Sequence, residues 1–365
     1  MSLYAELSDL TLRVDAYRLD GQVTRVKSGW DRHTTIVCLE GAGLVGVGED
    51  VTYHAGDQLA FQRQGAVQPL AGRHTFDAFS KMLGTLHLFA RDPNDVASRD
   101  YRRWAFEAAA LDLALRQHDL TLHGILGIEP QPVRFVVSMG LPDSPAIDPL
   151  PSYLRHDPGL RFKLDASSAW TDETVRQLAG TGAVDVVDLK GMYHDTPVDQ
   201  PPDVEMYGRV ADGLPGAWIE DPALTETTST VLDDHRQRIT WDAPIHSVAD
   251  IEALPFAPRM LNIKPSRFGT LRRLLDAYDY CDGHGIRMYG GGQFELGPGR
   301  DQIQYLASLF HPSAPNDVAP IIYHDTPPRA GLPRSPLGLR PAPAGFGRYE
   351  GATSAPPGDG AKEQS

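Results

Sequence analysis

From Val133 onward, short apolar runs alternate with longer stretches of helical periodicity. Eight runs stand out: VRFVVSMG, LRFKLD, VDVVDLK, AWIED, RITWD, MLNIK, IRMYGG and VAPIIYH. Between them lie TDETVRQLAGTG, SVADIEALP and LRRLLDAYDYCDGHG, which read as helices. Parallel strands joined by helices predict an α/β fold, here a modified (β/α)8 TIM barrel over residues 130–326.

The first 125 residues follow a different rhythm. LTLRVDAYRL and TTIVCLEG alternate with period two, and GAGLVGVGEDVTY predicts a turn with a returning strand. RRWAFEAAALDLALRQ then predicts a helix, with Trp104, Ala108, Leu111 and Leu115 on one face. Residues 1–125 are therefore expected to form a small α+β domain. GAGLVG satisfies the G-x-G-x-x-G pattern, but a dinucleotide site needs a helix opening inside the motif. VGVGEDVTY is a poor helix, so a hairpin turn is the better reading. Past residue 326 Pro, Gly and Arg dominate, and residues 351–365 have the composition of a disordered tail.

Charge narrows the class. The net charge of −14 and the lack of a basic run argue against nucleic-acid binding. No apolar stretch is long enough for a membrane span, and the amino terminus lacks a secretory pattern, so a cytoplasmic protein is expected. The two cysteines offer neither a disulfide framework nor a zinc pattern.

The chemistry lies at the strand ends. Asp188, Glu220, Asp242 and Lys264 each close an apolar run, at steps of 32, 22 and 22 residues. Barrel enzymes carry their catalytic groups at the C-terminal ends of strands. Three carboxylates suit a hard divalent cation, Mg²⁺ or Mn²⁺, and a partly desolvated lysine beside it suits a general base. WIEDP also offers Asp221, but successive strand residues face opposite ways, so Glu220 is taken as the inward one. Lys163 and Asp165 share one face of their strand, as do Asp188 and Lys190. Lys190 is either a second base or the ion-pair partner of Asp165. Glu295 lies in the Gly-rich turn MYGGGQFELGPG, where glycine lets the backbone approach a ligand.

Taken together these segments resemble the enolase superfamily, in its mandelate racemase/muconate-lactonizing and o-succinylbenzoate-synthase-like branch. The resemblance covers nearly the whole chain. RRWAFEAAALDLALRQHDLTLHGILG is similar to the end of that family's N-terminal capping domain, and PGLRFKL and WIEDP resemble its second- and fourth-strand motifs. LNIKPSRFGTLRRLLDAYDYCDGHGI and GGGQFELGPGR resemble the sixth-strand lysine segment and the seventh-strand turn. SPLGLRPAPAGFG is similar to the stretch that returns to the capping domain, here within 327–350. The resemblance implies Mg²⁺ on Asp188, Glu220 and Asp242. It further implies abstraction of the proton α to a substrate carboxylate, through an enediolate, with Lys264 as base and Glu295 orienting the site. It places KSGWDRHTT in the loop over the substrate, with Trp30 and Arg32 as contacts.

Two positions depart from the family pattern. Its second strand carries K-x-K and its third D-x-N, whereas this chain has Lys163-Leu164-Asp165 and Asp188-Leu189-Lys190. Charge is thus exchanged between adjacent strands. The expected function is a lyase or isomerase of a small carboxylate, cycloisomerase-, dehydratase- or epimerase-like, with Lys264 opposed by Lys163 or Lys190. The alternative is a catalytically degenerate member that binds a metabolite or serves a structural role. A homo-oligomer is compatible with the resemblance, and the sequence does not set the oligomeric state.

Overall fold

The computed structural model describes residues 2–26, 29–141, 146–193, 196, 198–325 and 327–347. The tail expected over 351–365, the end of the return segment at 348–350, and Lys27 and Ser28 of KSGWDRHTT lie outside the described residues.

Near the amino terminus the strands Ala16–Arg25, Asp31–Gly41 and Leu44–Asp50 form an antiparallel sheet in chain order. GAGLVG makes the hairpin between the last two, with Ala42 at φ 53° and Gly43 at φ 78°. Two successive positive φ values are what a tight two-residue hairpin turn requires. No helix opens inside the motif. The helix Ser98–Gln117 lies flat on the last strand. A Cβ on Gly48 would sit 2.1 Å from the Ala105 carbonyl oxygen, so glycine permits this close approach. Trp104, Ala108, Leu111 and Leu115 are all buried, as expected for the inward stripe.

The barrel strands follow. β1 (Val137–Gly140), β2 (Phe162–Asp165), β3 (Val184–Asp188), β4 (Trp218–Glu220) and β5 (Ile239–Thr240) form one parallel sheet in chain order. β6 (Met260–Ile263) pairs in parallel with β7 (Arg287–Gly290). The Asn262 amide donates to the Trp241 carbonyl at 3.0 Å and links the end of β5 to β6. The eighth run behaves differently from the strand expected of it. Only isolated bridges occur there, Gly291 with Asp317 and Phe135 with Asn316, and Ile322–Asp325 then turns helical. Pro320 interrupts VAPIIYH, and proline has no amide to give a ladder. The ring therefore closes through single bridges rather than a continuous eighth strand.

Expected helices form where the caps predict. Thr171 and Thr174 build a capping box for Asp172–Thr181, and Leu271–Gly283 opens on the Thr270 hydroxyl. Near the C-terminal end, Leu337 pairs with Val133 and the Phe346 amide donates to Asp112 Oδ1 at 2.7 Å. Phe346 itself packs edge-on to Trp104.

Behind the seventh strand, His311 is buried with Nδ1 2.7 Å from Asn316 Oδ1. Burial pushes its pKa from 6.5 down to about 4, against the Asn316 hydrogen bond. The unfolded chain therefore binds a proton that the folded one refuses between those values, and stability falls as pH drops through that window. A loss of about 3 kcal/mol between pH 7 and pH 4 is expected from this group. Urea unfolding at both pH values should show it, and His311→Gln should remove that portion of the pH dependence.

Candidate active site

Strand register brings the acidic residues together. Asp165 on β2 pairs with Asp188 on β3, and Asp188 pairs with Glu220 on β4. Asp242 lies two residues past Thr240, which is the β5 partner of Glu220. Asp188, Glu220, Asp221 and Asp242 are all fully buried. Carboxylate oxygens of Asp188, Glu220 and Asp221 lie within 4.8 Å of one another. The tightest carboxylate group thus has Asp221 in third place, where Asp242 was expected.

Asp221 explains itself through its backbone. At φ 50° it is left-handed, and its carboxylate accepts the amides of Asp242 at 2.8 Å and Ala243 at 2.9 Å. That pair of bonds fixes where β5 ends and aims Asp242. Alternation along an ideal strand would have sent Asp221 outward; the strand has already ended.

Asp188, Glu220 and Asp242 each meet a cation, whereas Asp221 is held by backbone amides. Lys163 Nζ is 2.5 Å from Glu220 Oε1, 3.5 Å from Asp188 and 3.6 Å from Asp317. Lys190 Nζ is 2.5 Å from Asp188 Oδ2 and 3.2 Å from Asp165 Oδ1. Lys264 Nζ is 2.7 Å from Asp242 Oδ2, and Arg267 is 2.8 Å from its Oδ1. Two phenols complete the set: Tyr289 donates to Glu220 Oε2 and Tyr193 to Asp242 Oδ2.

These pairings set the protonation states. Burial pushes the Glu220 pKa up to about 8, with Asp188 and Asp242 adding to it and Lys163 opposing. Burial and the Asp242 charge take Asp221 up to about 7. Burial also disfavours the charged form of Asp188, but Lys190 and Lys163 outweigh it and its pKa falls below the ordinary carboxylate value. The same contest, won by Arg267 and Lys264, holds Asp242 low. For Lys163 and Lys190 the neighbouring carboxylates overcome burial and hold both firmly as ammonium ions.

The predicted substrate contacts divide. Trp30 is 40% exposed and its ring lies 6.3 Å from Phe294, which in turn lies 4.4 Å from His324. Arg32, expected as the other contact, is committed to backbone carbonyls. It is fully buried, and its guanidinium donates to the carbonyls of Val51, Thr52, Gln293 and Phe294 while stacking over Tyr53. Its role is to fasten the N-terminal sheet to the turn after β7. Glu295 points into its own turn, accepting the Gln293 amide at 2.7 Å and pairing with Arg300 at 3.3 Å. Neither of these side chains bonds to the strand-end carboxylates.

Sequence reasoning set Asp221 aside and missed Arg267, Tyr193, Tyr289 and Asp317. Arg267 had a signal: Pro265 after Lys264 opens a helical turn, Pro265–Phe268, that folds the residue back over the strand end. The tyrosines and Asp317 come from other strand ends and loops and carry no local mark.

A divalent cation fits this donor set. The carboxylates are oxygen-only, buried and on adjacent strand ends, and the Asn262 carboxamide oxygen beside Glu220 has no hydrogen-bond partner.

The fold is shared with solved enolase-superfamily structures. A protein from Herpetosiphon aurantiacus described as mandelate racemase/muconate lactonizing protein superposes with a TM-score of 0.67 at 17% identity, covering 93% of this chain and 99% of that one. A dipeptide epimerase from Methylococcus capsulatus, solved with Mg and the dipeptide L-Arg-D-Lys, gives 0.65 at 20% identity over 84% and 90%. The chain belongs to the family described as "Domain of unknown function (DUF8230)", whose N-terminal and C-terminal models match residues 5–125 and 129–325. An N-succinylamino acid racemase from Amycolatopsis sp is 30% identical over 226 residues, a stretch spanning 59% of each chain. Among the described residues no helix is long and apolar enough to cross a membrane.

Proposed function

We propose that the protein is a Mg²⁺-dependent lyase or isomerase that removes the proton α to the carboxylate of a small substrate. The observation that carries this reading is the set of buried acids on β3, β4 and the end of β5, with Lys264 paired to the last of them. Asp188, Glu220 and Asp242 would hold the cation. Asp221 is the weaker candidate despite its proximity, because both its oxygens are bound by backbone amides that cannot swing away. When bound, the cation draws charge from the substrate carboxylate and makes the α proton easier to remove.

The chain's own groups supply the proton transfer. Lys264 Nζ takes the proton. Asp242 does not depend on the charge of Lys264, because Arg267 and Tyr193 also hold it. Lys163 and Lys190, fixed as ammonium ions, stabilise negative charge instead of accepting protons. With Asp165 on the second strand, a single base remains, which favours elimination or cycloisomerisation over two-base racemisation. The solved and curated relatives, an epimerase and a racemase, make dipeptides and N-acylated amino acids the first substrates to try.

Incubation of such substrates, with acid sugars alongside, in deuterated water should give α-deuterium incorporation seen by NMR. Chelation by EDTA should reduce it at least 100-fold, and added Mg²⁺ should restore it. Incorporation that survives chelation would sink the metal-dependent reading. A second reading, a degenerate member that binds without turnover, draws on the closed ion pairs of Lys190 with Asp165 and Asp188. Tight metal binding with no exchange on any of these substrates would favour it.

A further inference from the structure

We propose that Lys190 is a resident counter-ion that competes with the divalent cation for Asp188, and that Asp165 is the second seat its ammonium takes when the cation enters. This deepens the metal-site reading above and rests on it.

Asp188 is unusual among the strand-end acids in having both oxygens held by one neighbour. The Lys190 amide donates to Oδ1 at 3.0 Å and its Nζ to Oδ2 at 2.5 Å. A divalent cation bound to either oxygen would stand close to that ammonium, and hard cations of the Mg²⁺ type sit about 2.1 Å from their oxygen ligands. The two cannot share Asp188 without strong repulsion in a buried site.

The backbone keeps Lys190 there. It adopts φ 55°, a left-handed conformation that costs a non-glycine residue energy and needs its surroundings to enforce it. Gly191 does the enforcing: its amide donates to the Asp221 carbonyl at 2.9 Å, and a Cβ on it would sit 2.4 Å from the Ala223 nitrogen. The main chain is therefore anchored, and any shift of the ammonium falls to the four-carbon side chain. Tyr193 lies beneath the ammonium, its ring centroid 4.9 Å away.

Asp165 makes displacement feasible. It is already 3.2 Å from Nζ, and its side chain is 37% exposed where that of Asp188 is fully buried. A shift of the ammonium toward Asp165 keeps it paired and releases its bond to Asp188 Oδ2. Lys163 has no such exit. It is buried among Glu220, Asp188 and Asp317, which identifies Lys190 as the movable cation of the two. The charge exchange between β2 and β3 thereby acquires a purpose: it gives one lysine two acids, one inside the metal site and one at its edge.

The test is calorimetric titration of the full chain with Mn²⁺ and with Mg²⁺, which needs no substrate. Lys190→Gln should bind the metal at least 10-fold more tightly than the wild type, since the competitor is gone. Asp165→Asn should bind it several-fold more weakly, since the ammonium loses its second seat. Asp165 is exposed enough for that variant to fold, so it stands as an independent arm if Lys190→Gln does not. Equal affinities for all three proteins, or weaker binding by Lys190→Gln, would overturn the inference and leave the metal site standing. Absence of binding by wild type and variants alike would overturn both.

Discussion

Lys264→Ala should lower α-proton exchange by 10³-fold or more while leaving the fold and the strand-end acids in place. General acid–base groups contribute roughly 10² to 10⁴ in rate. The upper part of that range applies because Lys163 and Lys190, its lysine neighbours in the site, are held as ammonium ions and cannot substitute. Removing the lysine does not strand Asp242, which keeps Arg267 at 2.8 Å and the Tyr193 hydroxyl at 2.7 Å. Circular dichroism should therefore be unchanged. Lys264→Arg gives the sharper control: guanidinium keeps the positive charge but does not surrender its proton near neutral pH, so exchange should remain lost. Exchange retained by the arginine variant would mean that charge at this position matters and proton transfer happens elsewhere.

Arg32→Ala should cost about 3–5 kcal/mol of stability, the range reached when a buried hydrogen-bond network is broken. Four carbonyls, on Val51, Thr52, Gln293 and Phe294, lose their donor at once in a site closed to water. Urea denaturation should show the drop directly. Arg32→Lys is expected to recover part of it only, since an ammonium has three donors and no planar fork to span both sides of the gap. The same substitution should also slacken the turn that carries Phe294 and, through it, the packing of Trp30. A stability change below about 1 kcal/mol would show that water satisfies those carbonyls and that the latch is not structural.

The gathering of acids at the strand ends was legible because strand ends obey simple rules. Asp188, Glu220 and Lys264 each close a buried run, and the period of two holds for Lys163 and Asp165 within their strand, whereas Lys190 lies past the end of its own. Legibility ended where partners come from far along the chain. Nothing near Arg32 announces that two of its carbonyl partners lie in the Gln293–Phe294 turn, so an arginine in a loop over the site read as a substrate contact. Asp221 was misjudged because alternation assumes an unbroken strand, and β4 stops one residue earlier. The eighth strand failed on Pro320, a residue whose effect on a ladder was readable but outweighed by the apolar run around it.

The carboxylate of Glu49 belongs to the N-terminal sheet, yet it accepts the amides of Leu296, Gly297 and Gly299 at the start of the helix Pro298–Phe310. A helix in one part of the molecule is thus begun by a side chain from the other. Divided between residues 125 and 129, where the two family models part, the chain would leave that helix without its Glu49 acceptor and Arg32 without half its acceptors. Phe346 would likewise lose its hold on Asp112. The seam visible in sequence is a boundary of pattern, and it is not a line along which the protein can be taken apart.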